Sequence, residues 1–165
     1  MRRISIAAVV AAVLLSPLAT AFAADRASEK FIKEAIEGNL AEMQVGKLAQ
    51  EKGQRAEVKS FGQMLATDHG GANQKAMQIA GQLGLTPPTE PNAKQKKVYE
   101  KLAKLSGDKF DAEFAKEMVK DHKNDIRAFE KAAKSAQDPA KSFASETLPT
   151  LRTHLQTSES LTKAR

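Results

Sequence analysis

Residues 61–69 read Phe61-Gly62-Gln63-Met64-Leu65-Ala66-Thr67-Asp68-His69, and residues 114–122 read Phe114-Ala115-Lys116-Glu117-Met118-Val119-Lys120-Asp121-His122. Both fit Phe-x-x-x-[Leu/Met]-x-x-Asp-His. Positions i, i+4 and i+8 share one face of a helix. Phe61, Leu65 and His69 therefore form one stripe, and Phe114, Met118 and His122 form another. The stripes continue past each histidine, through Ala72, Ala76, Ile79 and Leu83 in one copy and Ile126, Phe129 and Ala133 in the other. The period is helical throughout, so each copy predicts a long helix that turns a histidine toward a core. The third and last histidine, His154, also follows an apolar stripe, through Phe143, Thr147 and Leu151.

Working outward from the two copies, the remaining helices take their places. A first helix is expected from an N-cap at Asp25 or Ser28 to Gly53. Its inner face carries Phe31, Ala35, Gly38, Glu42, Gly46 and Ala49. Gly38 and Gly46 stand one turn either side of Glu42. Glycine inside a helix costs roughly 1 kcal/mol against alanine, so the pair implies close helix approach or room around the carboxylate. The second helix runs from about Arg55 to Leu83, where Gly84 closes it. Residues 85–92, rich in proline, form a crossing loop. A short helix follows from about Ala93 to Leu105 and breaks at Ser106-Gly107. Asp108 reads as the N-cap of the third long helix, with Asp111 at its N3 position. Asp138-Pro139 restarts the chain as N-cap and N1 of a fourth long helix, which runs to about Lys163. The expected fold is all-α: a four-helix bundle with an extra short helix before the third long one. Two copies of a motif are too few for a solenoid.

Residues 1–23 stand apart from this pattern. Arg2 and Arg3 form a basic start, Ile4 to Leu18 is a nearly continuous apolar run, and Ala21-Phe22-Ala23 is a small-x-small cleavage signal before Ala24. This is the pattern of a secretory signal peptide, and the run is short for a membrane span. No cysteine follows, so a lipoprotein anchor is excluded. The expected organisation is a signal peptide over 1–23 and one bundle domain over 24–165, exported into a bacterial periplasm or beyond. The mature chain would have no membrane span.

The 165 residues contain no cysteine, which removes disulfides, thiolate metal sites and cysteine nucleophiles. The full chain carries a formal charge of +6, and losing Arg2 and Arg3 with the leader lowers it to +4. The lysines are scattered, and no aromatic-basic pattern points to nucleic acid. There is no phosphate loop, no Ser-His-Asp order and no paired acid motif, so nothing supports a hydrolase.

The histidines carry the functional signal. His69, His122 and His154 each stand about fifteen residues into their helices, and Glu42 stands at a similar depth in the first. Helices of this length run to about 40 Å at ~1.5 Å per residue. All four side chains therefore fall near mid-height, whichever way each helix runs. Three imidazoles and a carboxylate suit a transition metal, with Zn²⁺ the best match and Fe or Cu also suited. The residues three before the histidines are Ala66, Val119 and Leu151, so the Glu-x-x-His spacing of di-iron bundles is missing. Asp68 and Asp121 lie about 100° around the helix from their histidines. They are expected either to orient a neighbouring helix's imidazole or to stand as solvated acids near the rim, and not to ligate. A buried His/Glu network without metal fits the same spacing. Met43, Met64 and Met118 would favour copper if they lay nearby, but methionine is also ordinary core filler.

The residues named above also carry a family resemblance. The chain resembles the exported bacterial family known as domain of unknown function 4142, over about Ala27 to Leu161. The resemblance rests on Gly38 to Ala49 with Glu42, Phe61 to His69, Phe110-Asp111, Asp121-His122, and Leu148-Pro149 with Leu151 and His154. It implies export and a ferritin-like helical bundle, and no settled activity. The family's usual label, putative outer membrane protein, does not fit a chain without the strand pattern of a barrel.

Three functions remain in view from the sequence. One is an exported bundle that binds a single transition-metal ion for storage, buffering or stress protection. Another is a metal-free envelope-stress or interaction protein. The third is an oxidoreductase using a redox metal. An open coordination position is not legible in the sequence, which leaves catalysis without direct support.

Overall fold

The apolar stripes fold into five helices in the computed structural model, which describes residues 18–163 and, for side chains, residues 26–163. They are α1 (Leu18–Lys52), α2 (Ala56–Gln82), the short α3 (Ala93–Ala103), α4 (Gly107–Ser135) and α5 (Ala140–Lys163). No strand occurs among the described residues. None of the described helices is long and apolar enough to cross a membrane.

Two helical hairpins make the bundle: α1 packs along α2, and α4 along α5. The hairpins meet through α1 against α4 and α2 against α5. The start of α1 meets the end of α4, where Phe31 and Phe129 pack edge to face at 4.9 Å. The path is therefore up, down, down, up. Since α2 and α4 run in the same direction, the chain must return along the bundle between them, and α3 lies in that return across α1 and α4. A capping box starts α3: Asn92 accepts from Lys94 N and Gln95 N, and Gln95 accepts from Asn92 N.

The α1–α2 hairpin is unusually close at one level. A Cβ built on Gly46 would sit 2.6 Å from Gly62 O, and one built on Gly62 would sit 2.6 Å from Gly46 O. The two glycines let the backbones touch. Gly38 has no such neighbour, since its nearest foreign atom is the Gln95 amide nitrogen at 3.9 Å.

The structure corrects the expected helix starts in physical terms. The predicted signal peptide lies mostly outside the described residues, but residues 18–23 already belong to α1. The alanine-rich stretch from Leu18 to Ala24 propagates helix well, so neither Asp25 nor Ser28 is the first N-cap. Ser28 is buried instead, and its hydroxyl accepts from Gln137 N at 3.0 Å at the α4–α5 turn. Ser106, not Asp108, precedes α4, and Gly107 takes the positive φ of 58° that opens it. Asp111 serves another helix: its oxygens accept from Gln54 N and Arg55 N, both at 2.9 Å, at the start of α2. Helix α5 begins one residue past Pro139. Phe143 N bonds to Pro139 O at 3.1 Å, and Asp138 Oδ1 accepts from Ser142 N at 3.1 Å.

The core falls into two apolar clusters. One gathers Ile32, Ile36, Ala80, Phe129, Phe143 and Leu151. The other gathers Val58, Phe61, Leu65, Phe110, Phe114 and Met118. A layer of buried polar side chains, Asn39, Glu42, His69, His122 and His154, falls between them along the helices.

Candidate metal centre

Each histidine reaches the layer from a different helix: His69 from α2, His122 from α4 and His154 from α5. All three are buried, His122 completely. Their ring centroids are 5.2–5.8 Å apart. One ring nitrogen from each lies within 4.8 Å of the others. Phe61, one motif length before His69, packs on two of the rings, at 6.0 Å from His154 and 6.4 Å from His122.

Outer partners decide which way each ring faces. His69 Nδ1 is 2.9 Å from Asn39 Oδ1, His122 Nδ1 is 2.9 Å from Met118 O, and His154 Nε2 is 2.9 Å from Asp68 Oδ2. These oxygens can only accept, so the ring nitrogens facing them carry hydrogen. In the neutral rings the remaining nitrogens, His69 Nε2, His122 Nε2 and His154 Nδ1, are left with lone pairs. His122 Nε2 and His154 Nδ1 are 3.2 Å apart. Two lone pairs at that distance repel, and a proton or a cation between them removes the repulsion. Two nitrogens bound tetrahedrally to one ion at ~2.0–2.1 Å would be about 3.3 Å apart, close to the separation seen. His69 Nε2 is buried and meets no hydrogen-bond partner. The donor set fits a borderline transition metal.

Electrostatics favours the ligating form. Burial pushes the His69 imidazole well below its ordinary range, and the neighbouring His122 and His154 push it further. Burial also lowers His122, to about 4, against the smaller opposing effect of its bond to Met118 O. Both rings are therefore neutral near pH 7, as a metal ligand must be.

Glu42 and Asp121 do not join the three rings. Glu42 Oε1 is 3.9 Å from His122 Nδ1, on the ring edge already bonded to Met118 O. The His122 ring therefore stands between Glu42 and the nitrogen cluster. Glu42 meets the Asp121 carboxyl instead, the two acids sharing a side-chain hydrogen bond in which the protonated one donates. The nearest strong influences on it, after burial itself, are the carboxyls of Asp121 and Asp125, and its own carboxyl is held well above the usual range. Asp121 faces this acid group rather than an imidazole, and burial raises its carboxyl too. Asp68, by contrast, is partly exposed and bonded to His154.

Sequence reasoning passed over Asn39, the side chain through which α1 touches the cluster. The signal was available: Asn39 is the polar interruption of a second apolar face, Ile32-Ile36, at helical spacing. It also passed over Asp125, one turn beyond Asp121 on α4. Of the three methionines considered, Met118 is buried and its carbonyl holds His122, while Met64 is exposed.

The fold and site define an all-α helical bundle with a buried three-histidine cluster. The chain belongs to the family described as domain of unknown function (DUF4142), whose model matches residues 15–161. Among solved structures it is similar to the crystal structure of a DUF305 fragment from Deinococcus radiodurans, with a TM-score of 0.75. The match covers 84% of this chain and 97% of that one at 13% identity, a likeness of fold alone. No curated protein matches the chain.

Proposed function

We propose that the protein is an exported, ferritin-like helical bundle that holds one transition-metal ion between His69, His122 and His154. The observation that carries this reading is the orientation of the rings. Each has its outer nitrogen engaged, and the three inner nitrogens turn toward one another. The bound ion would act as a Lewis acid or redox centre, or simply as stored cargo, and zinc, copper and iron all suit three imidazoles. Three protein nitrogens leave at least one coordination position for exchange. That supports storage, buffering or stress protection and leaves oxidoreductase chemistry open. The role of this chain's residues is positional. Asn39, Met118 O and Asp68 hold the tautomers, and the apolar clusters on either side exclude water.

A second reading rests on the 3.2 Å approach of His122 to His154. One shared proton would close that contact as a hydrogen bond, giving a metal-free network that sets helix register. Protein purified without a His-tag distinguishes the two. Metal analysis and Co²⁺ absorption spectra should show one tightly held equivalent that His69→Ala abolishes. If His122→Ala lowers the melting temperature equally with and without added metal, the network is the better account. Export is tested separately: mass spectrometry of envelope protein should show a chain starting at Ala24, and an intact Met1 in that fraction refutes it.

A further inference from the structure

The histidine cluster is buried, so a metal ion must cross the protein surface to reach it. The outer partners of the three rings differ in what solvent can touch. Asn39 and Met118 are buried. The Asp68 side chain is 39% exposed, yet its Oδ2 accepts from His154 Nε2 at 2.9 Å. Of the three partners, Asp68 is therefore the one that meets both the centre and the solvent.

On its outer side Asp68 lines a groove of about 450 Å³ between α2 and α5. Asp68, Gly71 and Lys75 stand along one stripe of α2, and Glu146 and Thr150 line the facing wall from α5. Thr150 is one turn before His154, so both walls lead to the Asp68–His154 bond. Gly71 leaves its side of the groove open, since a Cβ built there meets nothing within 4 Å. One ion pair spans the groove: Lys75 Nζ is 3.6 Å from Glu146 Oε2, with both side chains mostly exposed. Such a pair is weak and yields to a competing cation.

The groove suits a hydrated ion in size and chemistry. Six waters at ~30 Å³ each occupy about 180 Å³, well within its volume. Carboxylate and hydroxyl oxygens on its walls can replace water on a divalent cation. A carboxylate has about four lone-pair sites, so the bond from His154 leaves Asp68 able to take an incoming ion. His154 Nε2 faces Asp68 and its Nδ1 belongs to the cluster, so one imidazole ring separates the groove from the centre. We propose that the α2–α5 groove is the port through which a hydrated divalent transition-metal ion enters and leaves the three-histidine centre, with Asp68 as its first protein ligand on the way. This inference rests on the three-histidine reading and adds the route to it.

The test follows Co²⁺ uptake by tag-free, chelator-stripped protein in a stopped-flow spectrophotometer, and Co²⁺ release into excess chelator. Gly71→Leu sets a good helix former over the groove with no clash at its Cβ. Uptake and release should each slow at least fivefold, and the equilibrium affinity should stay within about twofold, because an obstacle on a path changes both rates alike. Lys75→Gln removes the spanning ion pair and a positive charge, and should speed uptake at least twofold at low salt. Asp68→Asn should slow uptake at least fivefold, whereas a purely orienting Asp68 would lose affinity through faster release alone. Gly38→Leu is the control on the opposite, α1–α4 side, and should leave both rates within about twofold. Circular dichroism checks each fold, and Lys75→Gln, at an exposed position, decides the question if Gly71→Leu does not fold. One equivalent of bound Co²⁺ with both rates unchanged in Gly71→Leu overturns the port and leaves the three-histidine reading standing. Slowing by Gly38→Leu in place of Gly71→Leu does the same. Absence of stoichiometric Co²⁺ binding in the wild type overturns the three-histidine reading and the port with it.

Discussion

Asp68 Oδ2 on α2 accepts a hydrogen bond from His154 Nε2 on α5 at 2.9 Å, while His69, the next residue after Asp68, turns its own ring into the same cluster. One Asp-His pair thus serves the centre twice. The histidine offers a nitrogen, and the aspartate fixes the ring that crosses from the neighbouring helix. The second pair does not repeat this arrangement. His122 joins the cluster, but Asp121 faces Glu42.

This asymmetry makes Asp68 the outer partner to test. Asp68→Asn keeps the shape and removes the charge that holds His154 Nε2–H. Metal affinity should fall by roughly 10- to 100-fold, the usual cost of losing such a partner. Competition against a chromogenic chelator measures it. Helix content should stay the same, because the Asp68 side chain is 39% exposed. Equal affinity in the variant would remove Asp68 from the site.

The pH dependence of binding follows from the buried rings. A free imidazole is half-protonated at about pH 6.5. His122 is lowered to about 4 and His69 well below its ordinary range. Protons therefore compete with metal at these two rings only well below pH 6.5. Binding measured from pH 7.5 to 5.5 should weaken less steeply than three ordinary imidazoles would dictate. A steep cubic loss of affinity starting at pH 6.5 would contradict the burial argument.

Asp125 gives the opposite sign. Its folded carboxyl is raised to about 8 against an ordinary 3.8. Between those values the folded state binds more protons than the unfolded one, so this group costs stability as pH rises through the window. Asp125→Asn in chelator should therefore raise the melting temperature at pH 8.5, by on the order of a kcal/mol or more in stability. At pH 4 it should change little. Equal effects at both pH values would show that Asp125 is not titrating in this window.

The Gly46–Gly62 contact predicts a contrast between two glycine substitutions. Gly46→Ala places a methyl 2.6 Å from a backbone oxygen that cannot move alone. The α1–α2 hairpin must open, at a cost of roughly 1–3 kcal/mol. Gly71→Ala on the same hairpin meets nothing within 4 Å, and should gain up to about 1 kcal/mol from helix propensity. Denaturant melts of the two variants should move in opposite directions.

The sequence by itself determined the helices, their inner faces and the depth of the three histidines. These are local properties: a stripe at i, i+4 and i+8 is written in the chain, and a fixed rise per residue converts position into height. Gly84, with its positive φ of 66° after α2, was legible for the same reason. Only the tertiary structure decided what lay across helices. Glu42 stands at the same height as the histidines, yet it meets the far edge of the His122 ring, because height along a helix does not specify the angle around the bundle. Asn39 reaches His69 because α1 presents that residue toward α2. Asp111 caps α2 rather than its own helix, since a carboxylate bonds whichever unpaired N–H groups packing brings within reach, and here those belong to the turn at Gln54 and Arg55.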